Sequence, residues 1–458
     1  MRKIPIAVVF AIAIGAILGT GFASLIASYT IPTSGRVGAG VTAQSGSVAD
    51  IKTAVNQVEA AGGGTVYVPA GSWSFAATES NYVTIHGGVN IIGAGMRVTN
   101  LTLQPGRTDP ATTMFYVDGA NQRPVRISGI TFNGRTGAAA SATGDTAIFL
   151  DNVKDFRVDH NSFYYLGSSG VAVFNSDISK SSQGVVDHNE FYDIYKPDAE
   201  TAGTGFGYGV GIERTYTRAD QAKIWNTDIN FYLGKYANVT YIEDNYFAGA
   251  RHSISAYATG AYVARHNVFT DMHVYYPSGH ADVHGAYPDG VYGGRYTEVY
   301  DNTFLNPAND ADYPRMFDYA RALRMRGGGG VFFNNTAAHY SYLISLAKDD
   351  GNAAIPKCKV RDLWIWGNTY DNDFIDFEAS YTQDVDYFLY KKPGYVPYPY
   401  PHPLTLGGAS ARTSIDPFQM ATLSPWENRD NAAEAFLIDF RHASTKLRNV
   451  SRFGSEIL

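Results

Sequence analysis

One cysteine in 458 residues, Cys358, excludes an intrachain disulfide, and no Cys/His spacing resembles a zinc site. Stability must then come from a large apolar core, and Cys358 reads as a small buried residue rather than a nucleophile. Charge is scarce too. Charged residues make up 17% of the chain, 36 Lys+Arg against 43 Asp+Glu for a net −7. No strong basic block follows the first residues, which argues against a nucleic-acid backbone as the main partner. Gly327 to Gly330 lacks a following Lys-Ser/Thr, so it is a turn and not a phosphate loop.

What is present points to β structure. Hydrophobic residues reach 45%, and 47 glycines and 33 tyrosines supply tight turns and strand-favouring side chains. At the N-terminus, Arg2 and Lys3 precede an uncharged, mainly apolar run from Ile4 to about Tyr29. That run is long for a secretory signal and sufficient for the about 20 residues that span a bilayer. Gly21 and Ala23 offer a small-residue cleavage site before Ser24. The positive start favours export of the remainder. Residues 1–29 thus read as a signal peptide or membrane anchor, and residues 30–46, rich in Gly, Ser and Thr, as a linker. The expected location is extracellular, secreted or anchored through residues 4–29.

Ser47 with Asp50 fits a helix cap, and Ile51, Ala54, Val55 and Val58 recur at helical spacing. Gly62-Gly63-Gly64 ends that helix, and Thr65 to Gly71, "TVYVPAG", reads as a strand leading to a turn. This order, with Val89 to Gly95 as an early coil, resembles the N-terminal cap of proteins in the pectate-lyase-like superfamily. The resemblance implies a right-handed parallel β-helix whose open end is covered by the helix.

A repeat supports a solenoid. An apolar residue, two variable residues, Asn, one residue and usually an aromatic occur as Val158–Phe163, Val186–Phe191, Ile242–Phe247 and Ala264–Phe269. Val299–Phe304 and Ile365–Tyr370 repeat the unit, with a degenerate copy around Asn335. The asparagines are separated by 28, 56, 22, 35, 33 and 33 residues, so the 56 gap is expected to hold two coils of 28. Each unit is one coil whose apolar edge is buried by stacking. Asn suits the bend because it tolerates the left-handed conformation, and stacked amides can bond between coils. His160, His188 and His266, each just before the repeat Asn, are expected to form a structural stack at that bend. The β-helix is placed at 47–380. Residues 381–458 read as a Tyr/Pro-rich arm, including Lys391 to Leu404, and a C-terminal helix capped by Ser424, Pro425 and Glu427, packed on the solenoid.

A second set of alternating strands between the Asn units presents the candidate chemistry. With Val210, Ile212, Ile254, Ala256, Ala281, Val283, Leu323 and Met325 inward, Glu213, Ser253, Ser255, Tyr257, His280, Asp282, His284, Arg324 and Arg326 face outward. Arg251 stands where its strand begins. β-Elimination of a uronic-acid glycan needs cations for the carboxylate and a base for the neighbouring proton. Arg251, Arg324 and Arg326 suit the clamp, His284 or His280 the base, Tyr257 the leaving-group acid and Asp282 the orienting group. Glu213, Glu298 and Tyr300 are taken as substrate-binding.

Glycoside hydrolysis would use paired carboxylates, but Glu213, Asp282, Asp289 and Glu298 form no adjacent acidic pair. The Gly-His-Gly and Arg-Ile-Lys signatures of polygalacturonase-like hydrolases are absent as well. Alternate residues on a strand lie roughly 7 Å apart, so His280, Asp282 and His284 would not reach one zinc ion without a bend. Calcium, often used by pectate-lyase-like enzymes, stays open as a cofactor, although it needs more carboxylates than can be assigned here. The expectation is a polysaccharide lyase, with a non-catalytic glycan-binding or structural surface protein as the rival and a glycoside hydrolase behind it.

Overall fold

The computed structural model describes residues 39–75, 83–103, 113–134, 145–194, 207–270, 279–306, 321–347, 355, 358–371, 375–377 and 380–406. Among them, three parallel sheets of twelve, ten and ten strands carry nearly all the regular structure. Sheet A runs from Ala39–Thr42 to Tyr387–Phe388, sheet B from Gly71–Phe75 to Thr369–Tyr370, and sheet C from Val83–His86 to Ile375–Phe377. The chain visits them in turn. Gln183–Asp187 lies in A, Glu190–Tyr192 in B and Tyr208–Arg214 in C, before Thr240–Glu243 returns to A beside its start. Each circuit is one coil of a right-handed parallel β-helix.

Period-two patterning closes the coils around a core. In sheet C, Val171, Val210, Ile254, Ala281, Leu323 and Ile344 form one register row, all fully buried. In sheet B, Phe163, Phe191, Phe247, Phe269 and Phe304 stack at 4.6–5.0 Å, close to the spacing between strands. Helix α1 (Val48–Ala60) starts where the Ser47 hydroxyl accepts from Asp50 N, and its buried Ile51, Ala54, Val55 and Val58 join the same core.

The bend from A to B divides its work between two residues. The left-handed conformation falls on the residue before the repeat asparagine: His160, His188, Asp244, His266, Asp301 and Asn334 have φ of 53–58°. The asparagine itself does not adopt it, contrary to the sequence expectation. Its buried amide holds neighbouring coils together instead. Asn161, Asn189, Asn245, Asn267, Asn302, Asn335 and Asn368 form a continuous file, each Nδ2 donating to the next Oδ1 at 3.0–3.1 Å. His160 and His188 stack beside that file with ring centroids 5.1 Å apart. His266 stacks on Tyr400 at 3.7 Å.

Asn189 bonds directly to Asn245, so the 56-residue gap is one coil and not two of 28. Its extra length includes helix α2 (Arg218–Asn226), which stands outside the sheets. α2 places Trp225 against Tyr292 and buried Cys358.

The outer face of sheet A is covered by chain. Tyr387–Phe388 still pairs within sheet A, so the covering arm begins after it, and residues 389–406 run over the face, with Tyr395, Tyr398 and Leu404 packed on Tyr241, Tyr296, Tyr300 and Phe333. Arg265 and Glu243 form a buried ion pair at 2.7 Å, and Arg265 also donates to the carbonyls of Tyr398 and Pro399. Glu298 accepts from the hydroxyls of Tyr296 and Tyr395, and Tyr300 OH accepts from Arg265 at 3.0 Å. Glu298 and Tyr300 therefore belong to the seat of this segment, on a different sheet from the other candidates. The apolar run 4–29 and the expected helix over 424–447 lie outside the described residues. Among the described residues, no helix is long and apolar enough to cross a membrane.

Candidate functional site

Sheet C presents two outward rows. Ala172, Gly211, Ser255, Asp282, Arg324 and Ser345 stand in register in one, and Phe174, Glu213 and Tyr257 in the other. His284 and Arg326 continue the second row past the paired Val283 and Met325.

Where these strands begin, alternation breaks. Pairing joins Ser169, Tyr208 and His252, then resumes at Val171, Val210 and Ile254. The intervening residue faces the core. A side chain on Gly170 or Gly209 would strike the interior rings of Phe191 or Phe247. Ser253 and His280 occupy the same level, with Ser253 Oγ 2.8 Å from His280 Nδ1 and the His280 ring 5.5 Å from Phe269. Two inward residues in succession, at the same level of neighbouring strands, kink the start of each strand and reverse the facing of what precedes them. His280 and Ser253 are thus interior, a correction to the outward placement expected from strict alternation, and His252 takes the outward position.

Asp282 is the centre. It is fully buried, with Arg326 Nη2 2.7 Å, His284 Nε2 3.1 Å and His252 Nε2 3.9 Å from its Oδ2. Ser255 Oγ donates to the same oxygen at 3.4 Å, while Oδ1 is buried without a hydrogen-bond partner among the described residues. Burial opposes ionisation of Asp282, but Arg326 and the two histidines outweigh it and hold the carboxyl well below its usual range. Burial, reinforced by Arg251 and Arg326, lowers His252 to about 3. Burial and then Arg326 push His284 well below its ordinary value. Both imidazoles are neutral at neutral pH.

The His284 ring is oriented from two sides. Its Nε2 faces the Asp282 carboxylate, which favours a proton there and leaves Nδ1 to accept from the Tyr287 hydroxyl at 3.0 Å. The partly exposed Tyr287 carries this arrangement to the surface, with its ring 4.6 Å from that of Tyr257. Tyr208 stacks on His252, and its hydroxyl accepts from Arg251 Nη1 at 3.3 Å. Phe149, Phe174, Glu213, Tyr257, His284 and Tyr287 are among the walls of a groove of about 400 Å³. Burial alone pushes Glu213 up to about 7, and it has no hydrogen bond or ion pair among the described residues.

His284, Tyr257 and Glu213 therefore line one groove, with Asp282 and Arg326 buried behind His284, Arg251 on Tyr208, and half-buried Arg324 beside Asp282 in register. His280, Glu298 and Tyr300 are elsewhere. His252, Tyr208 and Tyr287 were missed. The first two lie on the far side of the kink, and Tyr287 follows the strand in a segment where period two gives no direction. His252, Asp282 and His284 offer donor atoms within 4.8 Å of one another, a set that could hold a cation. They converge from two adjacent strands, which removes the spacing objection to a single-strand trio. Arg326 already occupies Asp282, however, and with Arg251 it makes this space positive, better suited to an anion.

No family model matches the chain. Two curated proteins of Azotobacter vinelandii share local similarity. Mannuronan C5-epimerase AlgE1 is 38% identical over 89 residues, 19% of this chain, and AlgE2 is 40% identical over 81 residues, 17% of this chain. The matches span only 6% and 8% of those proteins' lengths. Among solved structures, an alginate lyase from Paenibacillus sp. str. FPU-7 aligns with TM-score 0.47 at 14% identity, covering 74% of this chain and 99% of that one. A tailspike protein of E. coli bacteriophage HK620 in complex with a pentasaccharide aligns with TM-score 0.49 at 14% identity, covering 73% and 56%. The Azotobacter vinelandii AlgE4 A-module gives TM-score 0.33 at 14% identity, covering 74% and 95%. The coil architecture stated above rests on the sheet topology.

Proposed function

We propose that this chain is an exported polysaccharide-active β-helix, working outside the cell, that removes the proton beside the carboxylate of a uronic acid residue. The arrangement of Arg326, Asp282, His284 and Tyr287 at one groove carries this reading. Arg324 and Arg326 supply positive charge to the uronate carboxylate, which makes the neighbouring C5 proton more acidic. The Tyr287 oxygen takes that proton while passing its own to His284 Nδ1, and Asp282 stabilises the resulting imidazolium. In β-elimination the electron pair left at C5 forms the C4=C5 bond, the C4–O bond breaks, and Tyr257 protonates the departing oxygen.

A second reading shares the first step. The locally similar curated proteins are named mannuronan C5-epimerases. In epimerisation a proton returns to C5 from the opposite face and no bond in the chain breaks.

Ultraviolet absorbance of unsaturated uronate, followed over a panel of polyuronates with and without calcium, tests the proposal. A rise abolished by His284→Ala supports elimination. Deuterium entering C5 from heavy water without absorbance supports epimerisation. New reducing ends without absorbance would mean hydrolysis. Binding with none of these signals would make the chain a glycan-binding surface protein.

A further inference from the structure

The groove continues beyond the acid–base cluster. On the coils towards the N-terminus, the outward row of Asp282, Ser255, Gly211 and Ala172 runs on to Phe149 and Tyr116. Phe174, one strand along in the neighbouring row, lies against Phe149 with ring centroids 4.4 Å apart. Tyr116 extends the stack at 5.6 Å. All three are half-buried on the outer face, while Phe115, Ile148 and Val171 beside them fill the core.

Between this shelf and the cluster the floor is cut away. Ala172 and Gly211 put only a methyl group and a hydrogen into the row, and a side chain on Gly211 would meet only ordinary contacts at 3.5 Å. Three to four strand steps separate Phe174 and Phe149 from Asp282, roughly 14–19 Å at the usual strand spacing. That is the length of a short oligosaccharide.

We infer that Tyr116, Phe149 and Phe174 form a second sugar-binding platform, which holds pyranose rings of the glycan chain whose uronate occupies the Asp282 cluster. This rests on the groove being a glycan site. Aromatic faces suit the apolar C–H faces of pyranose rings, and since Phe149 is stacked between the other two, the sugar meets the outer faces of the stack, on Tyr116 and Phe174, with Phe149 holding them in place. Asp118 and Asp151 flank the shelf, with Asp151 accepting from Ser176 Oγ at 2.8 Å. A ring stacked here therefore turns any carboxylate away from them, towards solvent.

The test is calorimetric titration of the full chain with a disaccharide and an octasaccharide of the same polyuronate. Phe149→Ala/Phe174→Ala should lose about tenfold in affinity for the octasaccharide and none for the disaccharide. Gly211→Leu, which fills the floor without touching the shelf, should give the same selective loss. Unchanged octasaccharide affinity in both variants overturns the platform while leaving the catalytic reading intact. Should the wild type ignore polyuronates but bind a neutral oligosaccharide that the double variant releases, the platform stands and the uronate reading falls. Binding of neither by the wild type overturns both. Circular dichroism of each variant separates loss of binding from loss of fold.

Discussion

Arg326 Nη2 and Asp282 Oδ2 lie 2.7 Å apart, and both side chains are withdrawn from solvent. This pair fixes the charge of the site. Asp282→Asn removes the counter-charge and leaves a guanidinium buried without it, which should cost about 3–5 kcal/mol in denaturant unfolding. It also removes the group that orients His284 and stabilises its protonated form. Turnover should fall about 10²- to 10⁴-fold even where the variant remains folded. Wild-type rates in a folded Asp282→Asn protein would remove the cluster from the chemistry.

Glu213 supplies a pH signature. Its carboxyl is pushed up to about 7 by burial against an ordinary 4.5, so between those values the folded protein holds a proton that the unfolded chain has lost. Stability contributed by the neutral form is therefore lost as pH rises from about 4.5 through 7. Glu213→Gln should flatten that slope in thermal melts and leave the variant more stable than wild type at pH 8. If the neutral acid also serves substrate binding, KM in the wild type rises through pH 7 and the variant loses that dependence. Parallel melting profiles across pH would show that Glu213 does not titrate in this range.

The contrast between His280 and His252 shows how far the chain could be read in advance. The solenoid was legible because one buried asparagine and one interior phenylalanine recur in each unit, and each is repaid by stacking between coils. The outward facing of Glu213, Tyr257, Asp282 and His284 followed from period two. His280 did not, because the kink at Gly170, Gly209 and Ser253 adds an inward residue that alternation cannot reveal. Glu298 and Tyr300 failed differently. They do face outward from sheet A, but residues 389–406 cover them, a contact far apart in sequence.

His280 consequently yields a prediction opposite to its neighbours. It is buried among Phe269, Phe304 and Tyr340, and burial lowers it to about 3 while Nε2 has no partner among the described residues. The unfolded chain protonates it below about 6.5, so its neutral burial costs stability as pH falls from there towards 3. His280→Leu should retain turnover within about twofold and resist acid unfolding better than wild type. His252→Ala and His284→Ala should instead lose activity. A His280→Leu protein that folds normally but is inactive would return this histidine to the site.

Arg265 should decide whether residues 389–406 stay on sheet A. Its guanidinium holds Glu243 and two carbonyls of that segment in a water-excluded seam. Arg265→Ala leaves Glu243 buried without its cation, at a cost of about 3–5 kcal/mol. Limited proteolysis should then cut within residues 391–404 before the coils open, because sheet A remains closed by its own hydrogen bonds. Simultaneous cleavage throughout the solenoid would show that segment and coils unfold as one.

The asparagine file predicts a gradient of sensitivity along the axis. Asn189 Nδ2 donates to the carbonyls of Val158 and Asp187 as well as to Asn245, and its Oδ1 accepts from Asn161 N at 3.0 Å. Asn189→Ala strands several of these groups in a dry interior, at about 1–3 kcal/mol for each one left unsatisfied. Asn368, half-buried at the last link, donates to Phe332 O at 3.2 Å and can recover lost bonds from water. Denaturant titration should therefore show a clearly larger fall in midpoint for Asn189→Ala than for Asn368→Ala. Because coils gain stability mainly from their neighbours, a break at Asn189 should also separate the unfolding of the two halves into distinct steps. Equal losses at the two positions would mean that the file merely accompanies the stacking of coils, with the interior phenylalanines setting their register.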